Sequence, residues 1–141
     1  MEIFLDTSFL VAFYNQKDKN HLMARRFIAN GDNRWSFVIS DYIFDEVLTV
    51  LMVRGGKSVS IEAGCKIFED ERINLLQIDE NIFQKAWLIY QGFKDKEWSF
   101  TDCTSYVLMK NLAIDVGASF DDHFSQFGFN RVPAQKGQAG G

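Results

Sequence analysis

Short apolar runs alternate with longer stretches of helical period along almost the whole chain, and this alternation constrains the fold more than any other feature. Residues 2–5, 36–39, 73–78 and 114–118 have the length and apolar character of buried strands, with a further short strand expected over 129–132. Between them the spacing predicts helices. One runs over 8–14 with Ser8 as its cap, and another opens at Asp18 or Asn20 and closes near Gly31. A third is capped by Ser40 or Asp41 and stopped by Gly55-Gly56, and a fourth covers 58–68. Asp79 caps the fifth, and Ser99 opens the sixth, which reaches about Asn111. Strands joined through helices need crossover connections, so the expected fold is of the α/β class. It is a single three-layer α/β/α sandwich around a mostly parallel central sheet. One domain over residues 1–133 accommodates this pattern, and the terminal AQKGQAGG, 134–141, has the composition of a disordered tail.

Several function classes drop out on composition. The apolar stretches are interrupted well before the roughly 18 residues a membrane span needs. Glu2 and Asp6 flank the first apolar run where a signal peptide would carry basic residues, and a cytoplasmic protein is expected. Cys65 and Cys103 are isolated, lack metal-ligand spacing, and are expected to be buried, inert thiols. A formal net charge of −4 argues against a broad basic surface that holds nucleic acid by phosphate neutralisation alone. It leaves room for nucleic acid where bound cations supply the positive charge.

The acidic residues fall at unusual places. Asp6 ends the first strand, with Thr7 and Ser8 directly behind it. In SDYIFDEVLTVL, Glu46 shares a row with Ile43, Val50 and Val53 and so borders the packed face, whereas Asp45 points to water. In WSFTDCTSYVLMK, Asp102 stands three residues after Ser99, close to a capping box, though that box usually carries Glu or Gln. In ASFDDHFSQFGF, Asp121 and Asp122 follow a strand immediately, beside His123. Each has an ordinary explanation by itself: a solvated helix rim, a cap, a turn. Crossover units set side by side bring Asp6, Asp102 and Asp121 to one sheet edge, with Glu46 reaching in from a neighbouring helix. Two carboxylates about 4 Å apart repel by roughly 4 kcal/mol at an effective dielectric near 20. Such a cluster takes up protons or binds a divalent cation. Oxygen donors without thiolate suit Mg²⁺, with Mn²⁺ as a substitute, better than zinc.

The four blocks IFLDTSFLVA, FDEVLTVL, SFTDCTSYVLMK and SFDDHFSQFGF resemble those of PIN-domain nucleases, and in particular the VapC type, the toxins of toxin–antitoxin pairs. The resemblance runs in order from about Met1 to Pro133. It implies a PIN-like fold and a catalytic, metal-holding set of Asp6, Glu46, Asp102 and Asp121, with the adjacent Asp122 the alternative for the fourth acid. The first block's hydroxyl falls on Ser8, a support for the metal shell; beside the resemblance, the residues themselves make Thr7 a second supporting hydroxyl and His123 a group that could touch phosphate. The implied activity is Mg²⁺- or Mn²⁺-dependent endoribonuclease chemistry with one or two ions, in which metal-activated water hydrolyses the phosphodiester. Its products carry 5′-phosphate and 3′-hydroxyl ends. The implied partners are RNA, a cognate antitoxin and a second copy of the chain, whose interface would use apolar residues of the second, third and fourth helices.

Lys17, Lys19, Arg25, Arg26 and Arg54 are available to guide RNA, although each has an ordinary surface role as well. Three rivals stand beside this reading. A metal-free ribonuclease needs an acid and a base on either side of one phosphate. Only His21, expected at the surface, and His123 are on offer. An aspartate-nucleophile phosphatase would use Asp6 but lacks a second aspartate two residues on, where Ser8 stands. A non-catalytic RNA or protein interaction module would keep the fold without needing the acids.

Overall fold

The computed structural model describes residues 1–134, so the expected tail lies, Ala134 apart, outside the described residues. Its strands are β1 (Glu2–Leu5), β2 (Ser36–Ser40), β3 (Ile73–Leu76), β4 (Val116–Ala118) and β5 (Asn130–Val132). They form one sheet in the order β3-β2-β1-β4-β5, with every pairing parallel. The helices are α1 (Thr7–Tyr14), α2 (His21–Ala29), α3 (Asp41–Gly55), α4 (Lys57–Glu69), α5 (Glu80–Gly92), α6 (Phe100–Leu112) and α7 (His123–Gln126).

Ile3, Phe4 and Leu5 are consecutive, and none is more than 2% exposed. Neighbouring strand residues point to opposite faces, so both faces of β1 are covered by helices. Phe37, Val38 and Ile39 repeat the pattern in β2. The expected sandwich is therefore the observed one.

The caps explain where the helices begin. Ser40 Oγ accepts the Ile43 N–H and opens α3, and Asp79 accepts the Ile82 N–H to open α5. Ala113, in the left-handed region at φ 56°, closes α6, and Ile114 donates its N–H back to Met109. That turn consumes the residue expected to start β4, which begins at Val116 instead.

Three local expectations are corrected. Helix α1 starts one residue early, at Thr7, with Asp6 at the cap position and Ser8 inside the helix. The buried face of α3 is Ile43, Val47 and Leu51, while Val53 is 78% exposed. The Glu46–Val50 row thus faces a cleft and runs out to solvent. Cys65 is exposed on α4; only Cys103 is buried, and burial, followed by the Asp102 charge, pushes its thiol up to about 11.

The short helix α7 was not foreseen as an element. It is held by Phe124, which is 1% exposed and packs edge-on against Phe4 and Phe129. Gly117 in β4 leaves room for that ring, because a Cβ there would overlap it.

Candidate active site

From β1 the chain moves outward through β2 to β3, then returns to place β4 on the other side of β1. Between β1 and β4 the order reverses, and in open parallel sheets the crevice at the carboxyl ends of such a pair is where ligands bind. A cleft of about 420 Å³ opens there. Asp6, Glu46, Asp102 and Asp121 all line it, together with Thr7, Ser8 and His123. Four acids distant in sequence therefore share one cavity.

Each is delivered by a different piece of backbone. Asp6 follows β1, and its N–H donates to Ala118 O at 3.0 Å, extending the ladder with β4 by one rung. Its side chain makes no capping bond to α1, which leaves the carboxylate for the cleft. Asp102 sits in the first turn of α6, the helix that precedes β4, so its start lies at the carboxyl edge of the sheet. Glu46 comes from the middle of α3 and is half-buried. Asp121 follows β4, and its Oδ1 accepts the His123 N–H at 3.1 Å to start α7. Asp122, by contrast, is exposed, does not line the cleft, and meets Arg131 Nη1 at 3.3 Å.

Two hydroxyls fix the first acid. Ser8 Oγ donates to Asp6 Oδ2 at 3.1 Å, and Ser119 Oγ donates to the same oxygen at 2.9 Å. Each hydroxyl also accepts a backbone N–H: Ser8 Oγ from Phe120 at 2.9 Å, and Ser119 Oγ from Asp121 at 3.1 Å. The two serines thus clamp the end of β1 to the segment after β4. Ser119 is fully buried, and its supporting place was legible only as the serine that begins the fourth block. Thr7 plays a different part from Ser8: its hydroxyl is buried and, among the described residues, meets no hydrogen-bond partner.

The electrostatics follow from burial. Asp6 is 3% exposed. Burial, and then the charges of Asp121 and Asp102, push its carboxyl up to about 8 against the opposing hydrogen bonds from Ser119 and the Thr7 N–H. Asp102 is also shifted upward, chiefly by burial. The Ser99 N–H and His123 work against that shift. Ser99 and Asp102 complete a reciprocal capping box, with Asp102 Oδ2 accepting the Ser99 N–H at 2.9 Å. Aspartate therefore does here what the longer acid usually does. His123 Nδ1 lies against the same Oδ2 and 3.7 Å from Asp121 Oδ1.

The other candidates sort cleanly. Lys19 and Arg54 line the cleft. Lys17 and Arg25 border a neighbouring cavity with Lys66, and Arg25 also stacks 4.0 Å above the Phe13 ring. Arg26 is exposed in the last turn of α2 and lines neither. His21 is no free surface residue, because its Nδ1 donates to Ala12 O at 2.8 Å and ties α2 to α1. Among the described residues His123 is the one imidazole in the cleft.

Does this donor set fit a divalent cation? A carboxyl with its affinity for protons raised this far either keeps a proton near neutral pH or gains a positive neighbour. All four acids offer oxygen donors, the set that suits Mg²⁺ or Mn²⁺. As the side chains stand, no three His, Cys, Asp or Glu groups among the described residues form a closed metal cage. Asp102 is engaged by Ser99 and His123 instead. The chemistry of the donors fits the cation, and the His123 ring lies against Asp102 at the same wall of the cleft.

The comparisons with known proteins bear on the family and the fold. A family model for the PIN domain matches residues 3–130. The chain is 29% identical over 130 residues to the 23S rRNA-specific endonuclease VapC20 of Mycobacterium tuberculosis, covering 92% of this chain and 97% of that protein. The same match is found in strain H37Rv. The crystal structure of that VapC20, described as a sarcin–ricin loop cleaving toxin, superposes with a TM-score of 0.86 at 28% identity. The alignment spans 92% of this chain and 98% of that one. VapBC-1 of nontypeable Haemophilus influenzae shares the fold at a TM-score of 0.64 and 18% identity, over 94% of this chain and 97% of that one. VapBC2 of Rickettsia felis, solved with a fragment of promoter DNA, shares it at 0.66 and 12%, over 94% and 98%. With the family match spanning nearly every described residue and the acids gathered at the switch point of a parallel sheet, the chain belongs to the PIN-domain family.

Proposed function

We propose that the chain is a divalent-metal-dependent endoribonuclease of the VapC type, acting as the toxin of a toxin–antitoxin pair. One observation carries this reading: Asp6, Glu46, Asp102 and Asp121, from four separate parts of the chain, line a single cleft. Mg²⁺ or Mn²⁺ held by Asp6, Asp102 and Asp121, with Glu46 beside them, would lower the pKa of water and polarise the scissile phosphate. The protein's own contributions are positional. Ser8 and Ser119 fix the Asp6 carboxylate, the α6 capping box fixes Asp102, and Asp121 is held by the turn into α7. His123, which lines the same cleft, would be available to a phosphate oxygen of bound RNA. Lys19 and Arg54 supply positive charge on the cleft wall for the RNA backbone.

The likeness to a 23S rRNA-specific endonuclease extends the proposal to ribosomal RNA as substrate. In-line attack by water leaves 5′-phosphate and 3′-hydroxyl ends. The rival that relies on histidines alone has little support, since His21 is committed to a backbone carbonyl.

The antitoxin and the second copy need apolar surface, and α2–α4 expose Leu22, Met52, Ile61 and Phe68. No helix among the described residues is long and apolar enough to cross a membrane.

Incubating the purified chain with 23S rRNA in Mg²⁺, in Mn²⁺ and in chelator tests the reading, with the new ends then sequenced. Discrete cuts that need the metal and bear 5′-phosphates support it. Cutting that persists in chelator, or 2′,3′-cyclic ends, overturns it.

A further inference from the structure

The cleft does not end at its acids. Ser99, whose N–H is bound by Asp102, lines the cleft on one side and a second groove of about 560 Å³ on the other. That groove is bordered by Trp87 and Tyr90 on α5 and by Phe93, Lys94 and Lys96 in the connection to α6. Trp87 and Tyr90 stand three residues apart on one helix face, with ring centroids 6.0 Å apart and planes within 18° of parallel. They are 45% and 47% exposed, and Phe93 is 48% exposed. Rings on a helix surface lose apolar free energy by standing in water. This pair is also buttressed, since Tyr90 meets the edge of Phe100, the residue that follows Ser99.

Charged groups distinguish this surface from an ordinary apolar interface. Lys94 and Lys96 line the groove beside the rings, with Glu97 also on its wall and Asp95 between the two lysines in the chain. Flat aromatic faces beside lysines, opening from a phosphodiester-cutting cleft, are the elements of a single-strand nucleic-acid platform. The apolar exposure on α3 and α4 lacks this continuity with the cleft.

We propose that the groove is a base-stacking subsite for an unpaired nucleotide of the RNA, on the Ser99 side of the scissile phosphate. This rests on the nuclease reading for the identity of the ligand. The base lies against Trp87 and Tyr90, and Lys94 and Lys96 neutralise the phosphate that follows.

The test uses the full chain carrying Asp6→Asn, to block turnover, and a fluorescein-labelled single-stranded oligoribonucleotide read by anisotropy. Adding Trp87→Ala or Tyr90→Ala should weaken binding about tenfold, as the loss of one stacked base does. Trp87→Phe should recover most of the affinity, and the solution mass should stay unchanged. Alanine is a good helix former, so α5 is retained, which circular dichroism checks. Unchanged affinity in both alanine variants, or no measurable RNA binding by the parent, overturns the subsite. A changed solution mass with unchanged RNA affinity overturns it too, and assigns the rings to contact with another copy. If the unmutated chain cuts no RNA in Mn²⁺ while the tenfold loss persists, the nuclease reading falls and the subsite stands.

Discussion

Ser119 Oγ donates to Asp6 Oδ2 at 2.9 Å, joining residues 113 positions apart in the chain. The bond closes the switch point of the sheet, because Ser119 follows β4 and Asp6 follows β1. Hydrogen bonding to an ionised carboxylate favours the ionised form, so Ser119 restrains the upward shift that burial imposes on Asp6.

Ser119→Ala should therefore push the Asp6 carboxyl higher still. Activity should fall about 10- to 100-fold, the usual cost of removing a group that orients a metal ligand. The acidic limb of the pH–rate profile should move to higher pH. A profile that keeps its position while the rate falls would show that the hydroxyl does not act through Asp6.

Asp6→Asn should separate activity from stability. Cleavage should drop by more than about 100-fold, beyond the range for an orienting group. Without cation, thermal stability should hold near neutral pH, where Asn and the protonated Asp6 are both uncharged, and rise toward and above pH 8, where Asp6 would otherwise ionise beside Asp102 and Asp121. A cleavage assay and a melting curve on the same preparation decide this. A strongly destabilised variant would mean that Asp6 is chiefly structural.

The cation-free protein should lose stability as pH rises. Asp6 and Asp102 bind protons more tightly in the folded chain than at the ordinary carboxyl value of 3.8. The folded state then holds more protons than the unfolded chain above that value, and stability declines until the pH passes the Asp6 value near 8. Melting temperatures without divalent ions should thus be higher at pH 5.5 than at pH 8, both on the order of ordinary assay conditions. Mg²⁺ should stabilise most at the upper end. At 100 times its dissociation constant it contributes about 2.7 kcal/mol, a shift of roughly 5–10 °C for a domain of this size. Chelator should reverse the shift, and equal melting temperatures across the range would refute this account.

Gly117→Ala should damage the site from behind. The added Cβ collides with the buried Phe124 ring, which anchors α7 and with it Asp121 and His123. Overpacking of this kind costs typically 1–3 kcal/mol. Urea unfolding should register that loss, and cleavage should fall alongside it. A variant of full stability and activity would show that α7 moves without consequence.

Arg54→Ala should weaken RNA binding without changing which site is cut. Removing one phosphate contact lowers the slope of log affinity against log salt by about 1. Arg26→Ala, on an exposed position outside the cleft, serves as the comparison and should leave the slope unchanged.

Much of this protein was determined by local order in the chain. Ile3-Phe4-Leu5 reads as a strand covered on both faces because three apolar residues in succession leave neither face for water. Ser40, Asp79 and Ser99 announce their helices because a short polar side chain can satisfy an amide two or three residues ahead. The spacing of the four acidic blocks was likewise open to reading. Three-dimensional packing decided the rest. Whether Asp121 or its neighbour enters the cleft depends on the path of the turn into α7, which Gly117 and Phe124 set from different elements. The role of Ser119 depends on a contact between strand ends that neither end encodes. Cys65 and Cys103 occupy similar apolar helical contexts, yet one faces solvent and the other the core. Hydrogen bonds within a turn are fixed by neighbours in sequence, whereas burial and electrostatic neighbours are fixed only when distant segments pack together.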